Sequence, residues 1–192
     1  MTMRILTESE RFDFYYSYLI NDFHKNEIKP FNIMERLVKQ GKYICYGFFD
    51  DKIPLGYAYF IKSKCNKYFL LDYFAVLTAY RSIGLGSKFI NEIKNKFMED
   101  SSVLIAEIEN PDYINDEKNK EESIRRINFY LRNGFRQSNI LSQAFSCEYI
   151  IFTLSTEEQN DNELYEDVRK IYLDIFGKDL FNRQIYVRLS EK

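Results

Sequence analysis

Short apolar runs and longer stretches with an apolar residue every three or four positions follow one another along the chain. The clearest pair lies between Leu70 and Met98. Residues 70–76 form a nearly continuous apolar run, which is typical of a strand covered on both faces. From Leu85 to Phe97 the apolar residues have the spacing of an amphipathic helix. The pattern therefore predicts a buried strand, a turn and a helix.

The same two patterns divide the rest of the chain into strands and helices. The predicted strands are 3–6, 43–49, 55–61, 69–76, 103–109, 140–145, 147–154 and 185–189. The predicted helices are 10–21, a segment between Pro30 and Gly41, 85–98, 123–133 and 163–176. A charged segment, 110–122, is interpreted either as a solvated loop that leads into the next helix or as a lid over a substrate.

This order of elements predicts the fold class. Antiparallel strands come first, and a helix then joins strands 69–76 and 103–109 as a right-handed crossover, which makes those two strands parallel. We therefore expect an α/β (mixed α+β) fold, with a central mixed, mostly antiparallel twisted sheet flanked by helices. With 192 residues, 45% of them hydrophobic, the chain can form one globular domain with a full core.

Composition narrows the functional classes. The 27 Lys and Arg residues and 29 Asp and Glu residues give a net charge of −2, which argues against a nucleic-acid partner. The three cysteines are widely spaced, which favours a reducing compartment and disfavours a disulfide scaffold or a metal site. The sequence has no apolar leader and no run long enough to span a membrane. A cytoplasmic protein without a membrane partner is expected.

The turn before the helix at Leu85 could bind an anion. The first turn of a helix has unpaired backbone N–H groups and partial positive charge. Gly84 and Gly86 lack side chains that would keep a phosphate away, and Arg81 adds positive charge. The spacing matches neither the dinucleotide fingerprint, whose third glycine would fall on Phe89, nor a P-loop. From these residues alone, phosphate binding and a simple tight turn remain equal alternatives.

A second motif lies downstream, in residues 126–135 (RINFYLRNGF). The chain resembles the GNAT family of acetyl-CoA-dependent N-acetyltransferases in the order of its motifs. That order is a strand, the motif R-x-x-G-x-G, a helix, a strand, and a second helix that ends in F-Y-x-x-x-G-F. The resemblance covers about residues 43–154. It implies one GNAT-like domain over residues 1–192, in which residues 155–192 form a C-terminal extension of helix and strand.

The resemblance also implies a site for acetyl-CoA as co-substrate, with no metal. The backbone of one strand end would bind the pantetheine arm, and the glycine turn would wrap the pyrophosphate. The residues so assigned are Phe74, Ala75, Val76, Arg81, Ser82, Ile83, Gly84, Leu85, Gly86, Ser87 and Lys88. Two positions of the downstream helix depart from the family pattern, since Ser123 replaces an asparagine and Arg126 a small residue.

Tyr130 is the candidate general acid. In the family, the tyrosine four residues before the motif's glycine protonates the leaving thiolate, and a phenol is protonated at neutral pH. The alternative is one more packed aromatic residue in a chain with 16 Tyr and 17 Phe.

Three carboxylates are candidates for the general base. All three lie in the predicted strands that meet at the site. Glu107 ranks first, Asp72 second and Glu109 third. Their acidity would suit a cationic amine. The alternative is that each carboxylate is paired with Arg125, Arg126 or a lysine.

The sequence thus predicts an N-acetyltransferase that moves an acetyl group from acetyl-CoA directly to a primary amine in a ternary complex. The acceptor would be a small cationic amine or a peptide amine, and a homodimer is compatible with this prediction. The alternative is a non-catalytic acyl-CoA-binding or sensing module of the same fold. A toxin that acetylates charged tRNA would need a basic face, which the net charge disfavours.

Overall fold

The computed structural model describes residues 1–25, 27–98, 102–144 and 147–190. Its strands are β1 (Thr2–Ile5), β2 (Tyr43–Asp50), β3 (Ile53–Lys62), β4 (Tyr68–Val76), β5 (Val103–Glu109), β6 (Arg136–Ala144), β7 (Cys147–Leu154) and β8 (Ile185–Leu189). Its α-helices are α1 (Glu8–Phe14), α2 (Ile20–Asp22), α3 (Phe31–Lys39), α4 (Leu85–Met98), α5 (Glu117–Arg132) and α6 (Asp161–Gln184). A π-helical turn, Tyr15–Leu19, joins α1 to α2.

The chain divides into two compact units. The first comprises Met1–Lys62 and Leu70–Ile93, and the second comprises Ser63–Phe69 and Lys94–Lys192. The prediction that residues 1–192 form a single domain stays a prediction.

In the first unit, β1, β2, β3 and most of β4 lie side by side in that order. The β1–β2 and β2–β3 pairs are antiparallel. The strand β1 is largely exposed, whereas β2, β3 and β4 are mostly buried. Phe48 on β2 stacks on Phe89 of α4 with the ring centroids 4.0 Å apart. A buried ion pair between Arg11 and Glu35, 2.5 Å long, connects α1 to α3. This packing fixes the beginning of α4 against the strands.

In the second unit, the strand order is β5-β7-β6-β8, and all three pairs are antiparallel. The helix α6 adds four buried side chains to the core, those of Leu164, Val168, Ile171 and Tyr172. At Gly177 the backbone turns to a φ of 74°, which interrupts the helix where the sequence predicts its end. The strand β8 then pairs with β6. The C-terminal extension is therefore part of the core of this unit.

The fold class is confirmed as mixed α+β, with mostly antiparallel strands and flanking helices. The parallel pairing of residues 69–76 with 103–109 stays a prediction. Within the described ranges, no helix is long and apolar enough to cross a membrane. Phe145, the last residue of one predicted strand, lies outside the described residues.

One boundary differs substantially from the prediction. The helix expected at 123–133 is α5, and it begins at Glu117. The Asp116 side chain accepts a hydrogen bond of 2.9 Å from the Asn119 amide, which starts the helix six residues early. Its first turns carry charged residues and no apolar stripe, so hydrophobic periodicity could not reveal them. The predicted loop is thereby reduced to a short connection that contains a 3₁₀ turn, Pro111–Tyr113.

Candidate active site

The predicted phosphate-binding residues form an exposed turn in the first unit. After β4, a 3₁₀ turn at Thr78–Tyr80 leads to Arg81, and the backbone then takes positive φ values at Ser82 (67°) and Gly84 (83°) before α4 begins. A Cβ atom at Gly84 would meet nothing within 4 Å. The left-handed backbone, and not crowding, therefore favours glycine at this position.

The geometry of this turn suits an anion. The amide of Lys88 donates to the carbonyl of Gly84 at 3.3 Å, which is the first intrahelical bond of α4. The amides of Leu85, Gly86 and Ser87 precede it, at the end of the helix where amide groups point away from the helix body. Ile83 and Gly84 are exposed, and Leu85, Gly86 and Ser87 are half-buried. A phosphate group fits such a turn.

The guanidinium group of Arg81 makes two contacts within the protein. Its Nε donates to the carbonyl oxygen of Val76 at 2.9 Å, and one Nη donates to Asp22 at 2.5 Å. Asp22 also accepts a hydrogen bond from Tyr57 at 2.9 Å. The guanidinium group thus fastens the turn to the end of β4 and to α2. Because its charge is paired with Asp22, it contributes less attraction to an incoming phosphate than a free arginine would.

The end of β4 carries the residues predicted to bind pantetheine. Ala75 is buried, and its carbonyl oxygen lies so close to Gly56 of β3 that a Cβ atom there would be 2.5 Å away. The carbonyl of Val76 accepts the Arg81 hydrogen bond, and the amide of Leu77 donates to Leu55 at 2.9 Å. Intramolecular contacts therefore already hold part of this strand end.

Two of the three candidate bases are held in ion pairs. Lys29 lies 2.6 Å from Asp72, which also accepts a hydrogen bond from the Tyr43 hydroxyl. Arg126 lies 2.5 Å from Glu109. Pairing of this kind is the alternative that the sequence allowed for each carboxylate, and it offsets the cost of burying the charge.

Glu107 has hydroxyl partners. The Tyr172 hydroxyl donates to its Oε1, and Ser142 Oγ donates to the same oxygen at 3.3 Å. Neither partner was recognised as functional from the sequence. Tyr172 belongs to the apolar stripe of a helix beyond the family core, where a tyrosine has the same signature as any other core residue.

The ring of Tyr130 is held by the end of α5. The amide of Phe135 donates to the Tyr130 carbonyl at 3.1 Å, and that of Gly134 donates to Leu131 at 3.0 Å, with Gly134 at a φ of 90°. These two bonds form a Schellman motif, whose usual hydrophobic contact is made by the rings of Tyr130 and Phe135, 4.9 Å apart. The spacing F-Y-x-x-x-G-F therefore has a local structural cause.

Burial raises the pKa of the Tyr130 hydroxyl above its ordinary value of 10, while the charge of Arg126 lowers it to a smaller extent. The phenol therefore carries its proton at neutral pH and could donate it. The two departures from the family pattern both act on Glu109. The Ser123 hydroxyl donates to its carbonyl oxygen, and Arg126 pairs with its side chain. Together they fasten α5 to β5.

Among the described residues, no three His, Cys, Asp or Glu side chains are grouped as a metal site requires. The remaining candidate groups among the described residues are the turn before α4 in the first unit and Tyr130 and Glu107 in the second.

Comparison with known proteins adds to this description. No family model matches the sequence, and no curated protein does. Solved structures do match. A candidate GNAT acetyltransferase from Bacteroides thetaiotaomicron superposes with a TM-score of 0.75 at 20% identity, over 93% of this chain and 99% of that one. The chain has the GNAT fold.

Two further structures with the GNAT fold support this statement. One is a candidate acetyltransferase from Desulfovibrio desulfuricans, with a TM-score of 0.61 and 18% identity over 81% of this chain and 99% of that one. The other is a spermidine N-acetyltransferase from Vibrio cholerae in complex with CoA and spermine. Its TM-score is 0.59 at 11% identity, over 80% of this chain and 94% of that one. The resemblance noted in the sequence is thereby confirmed at the level of the fold.

Proposed function

We propose that this protein transfers an acetyl group from acetyl-CoA to a primary amine. The observation that carries the proposal is the exposed turn before α4, with left-handed backbone at Gly84 directly before the first amides of the helix, in a chain with the GNAT fold. Acetyl-CoA supplies an acetyl thioester that is already activated. The protein then needs to hold the two reactants and to move two protons.

We assign the roles from the backbone amides at the turn, the protonation of Tyr130 and the contacts of each carboxylate. The amides of Leu85, Gly86 and Ser87 bind the pyrophosphate, and the β4 residues Phe74 to Val76 bind the pantetheine arm. Tyr130, which stays protonated at neutral pH, donates its proton to the departing sulfur. Glu107 accepts the proton that the amine loses, directly or through water. Asp72 and Glu109 serve as structural ion-pair partners.

The acceptor is a cationic amine in this proposal. The two hydroxyl donors to Glu107 favour the ionised form of its carboxylate, and an ionised carboxylate attracts an ammonium group. The polyamine in the Vibrio cholerae complex is a substrate class of this kind. Spermine and spermidine are therefore the first acceptors to test, followed by aminoglycosides and peptide amines.

The experiment follows CoA-thiol release with each amine. If Tyr130 is the acid, Tyr130→Phe lowers kcat by roughly 10²–10⁴-fold. Tyr186→Phe, which removes an exposed hydroxyl from β8, is the control and should leave kcat unchanged. An unchanged rate in Tyr130→Phe would remove this residue from the mechanism. Tight acetyl-CoA binding without thiol release for any amine would favour the non-catalytic acyl-CoA-binding module.

Binding at the turn is tested in the same series by calorimetry. Gly84 and Gly41 both have positive φ (83° and 70°) and open space where a Cβ would be, so alanine should strain the backbone similarly at the two sites. Only Gly84→Ala should weaken acetyl-CoA binding, because only that methyl group lies beside the α4 amides. Equal affinities in the two variants would show that the turn does not bind the cofactor.

A further inference from the structure

Glu107 belongs to a buried three-residue cluster, the Glu107–Ser142–Tyr172 cluster, which the sequence did not predict. Its members come from β5, β6 and α6, and Ser142 and Tyr172 are only 1% and 2% exposed. The Tyr172 hydroxyl donates to Glu107 Oε1, and Ser142 Oγ donates to the same oxygen at 3.3 Å. The two hydroxyl oxygens are 3.0 Å apart. Each pair in the cluster is therefore in contact.

Hydroxyl donors have two effects on a partly buried carboxylate. They favour the ionised form, because a hydrogen bond to the charged oxygen offsets part of the cost of removing it from water. They also fix the side-chain torsions, because two donors from different elements converge on one oxygen.

The hydroxyl of Tyr172 remains a donor over the range in which amines react. Burial, and then the negative charge of Glu107, raises the pKa of Tyr172 well above its ordinary value. The position of the ring is fixed by the buried face of α6, in which Leu164, Val168 and Ile171 precede it. The C-terminal extension thus brings a fixed donor to the carboxylate that we assign as base.

We propose that Tyr172 and Ser142 are positioning residues for Glu107, so that the C-terminal extension takes part in proton removal from the acceptor amine. This inference rests on the proposed function and on Glu107 as its base. In the step concerned, the ammonium group loses one proton to the Glu107 carboxylate, which becomes a carboxylic acid and later releases the proton to water. Tyr172 and Ser142 keep their own protons throughout and act only through Glu107.

The test is a double-mutant cycle between Tyr172→Phe and Glu107→Gln, with thiol release as the readout. Tyr172→Phe should lower kcat/KM for the amine by about 10–100-fold, the range of coupling between residues in contact. The KM for acetyl-CoA should stay within about twofold, since Tyr172 is not among the residues proposed to bind the cofactor. In the Glu107→Gln background, Tyr172→Phe should cause no further loss, because the residue through which it acts is gone.

A matched control is available on the same helix. Tyr165→Phe removes a hydroxyl whose partner is Arg169, and it should leave the kinetics unchanged. Ser142→Ala removes the more distant donor and should cause a smaller loss of kcat/KM for the amine. If Tyr172→Phe does not fold, Ser142→Ala takes its place in the double-mutant cycle.

The outcomes separate the inference from the proposed function. A wild-type protein that turns over no amine overturns the function and the inference together. An active wild type with Tyr172→Phe equal to Tyr165→Phe overturns the inference alone. Losses that multiply in the double variant also overturn it, because they would show that Tyr172 acts on the fold and not through Glu107.

Discussion

Tyr57 and Tyr59 lie two residues apart on β3, both fully buried, with ring centroids 5.3 Å apart. The Tyr57 hydroxyl donates to Asp22 at 2.9 Å. The Tyr59 hydroxyl is the one buried side-chain polar atom in the described ranges that has no hydrogen-bond partner. A buried hydroxyl without a partner costs free energy, whereas a paired one contributes modestly to stability. The same residue type therefore has opposite effects at two neighbouring positions.

This contrast predicts opposite effects of one substitution. Tyr59→Phe should raise the free energy of unfolding by about 1 kcal/mol, because it removes a desolvated polar group. Tyr57→Phe should lower it by about 1–3 kcal/mol, because Asp22 loses a donor while it stays buried. Urea unfolding of both variants measures the difference. A loss of stability in Tyr59→Phe as large as that in Tyr57→Phe would mean that the Tyr59 hydroxyl has a partner in solution.

At the candidate site, too, the state of a polar side chain depends on its partner, as Arg81 and the carboxylates show. The sequence predicted these charged groups as site residues, but their ion-pair partners could not be read from it. Arg81 is paired with Asp22, Asp72 with Lys29 and Glu109 with Arg126. Their assignment as catalytic or cofactor-binding residues stays a prediction, and for Asp72 and Glu109 these contacts favour a structural role.

At the scale of elements, one close approach sets the geometry of the candidate cofactor site. A Cβ atom added to Gly56 would lie 2.5 Å from the Ala75 carbonyl oxygen and 2.5 Å from the Phe89 ring. The ring has little room to move, since it is fully buried and stacked on Phe48. Gly56 of β3 thus allows β4 and the first turn of α4 to pack closely.

Gly56→Ala should therefore lower both stability and cofactor affinity. Overpacking of a well-packed core costs typically about 1–3 kcal/mol, and the atoms that must move belong to the strand end and the helix that form the proposed site. Unfolding and acetyl-CoA calorimetry should show the two losses together. Gly41→Ala is the control, with backbone strain but open space, and it should affect stability alone. Unchanged affinity in Gly56→Ala would show that the site tolerates movement of β4 and α4.

At the scale of the whole molecule, the C-terminal extension decides whether the second unit has a complete core. Residues 161–184 bury four large side chains, and β8 covers the edge of β6. Burial of a large apolar side chain is worth about 1.5–3 kcal/mol. Four of them are comparable with the whole stability of a typical domain, about 5–15 kcal/mol. We therefore predict that the extension is required for folding in addition to its proposed part in catalysis.

A chain that ends at Leu154 should consequently fail to fold cooperatively. We expect it to aggregate or to lose its sharp unfolding transition, whereas a chain that ends at Ser190 should behave like the full-length protein. Circular dichroism and size-exclusion chromatography distinguish these results. A stable, monomeric 1–154 fragment would show that the family-like core is sufficient for the fold.

The sequence alone determined the local features of this protein. The helical spacing predicted α4, the short apolar runs predicted the strands, and Gly134 marked the end of α5. These features depend on residues within a few positions of one another, and periodicity and capping report such short-range interactions. The early start of α5 was missed because its cap residue precedes charged turns without an apolar stripe.

Only the tertiary structure decided which side chains meet. Lys29 and Asp72 are 43 residues apart in sequence, and Glu107 and Tyr172 are 65 apart. Hydrophobic periodicity reveals which face of an element is buried but not which polar atom faces it from another element. The charge state and the hydrogen bonds of a carboxylate depend on those distant partners. For this reason the sequence predicted the fold and a set of candidate residues, while the structure showed which distant side chains contact each carboxylate.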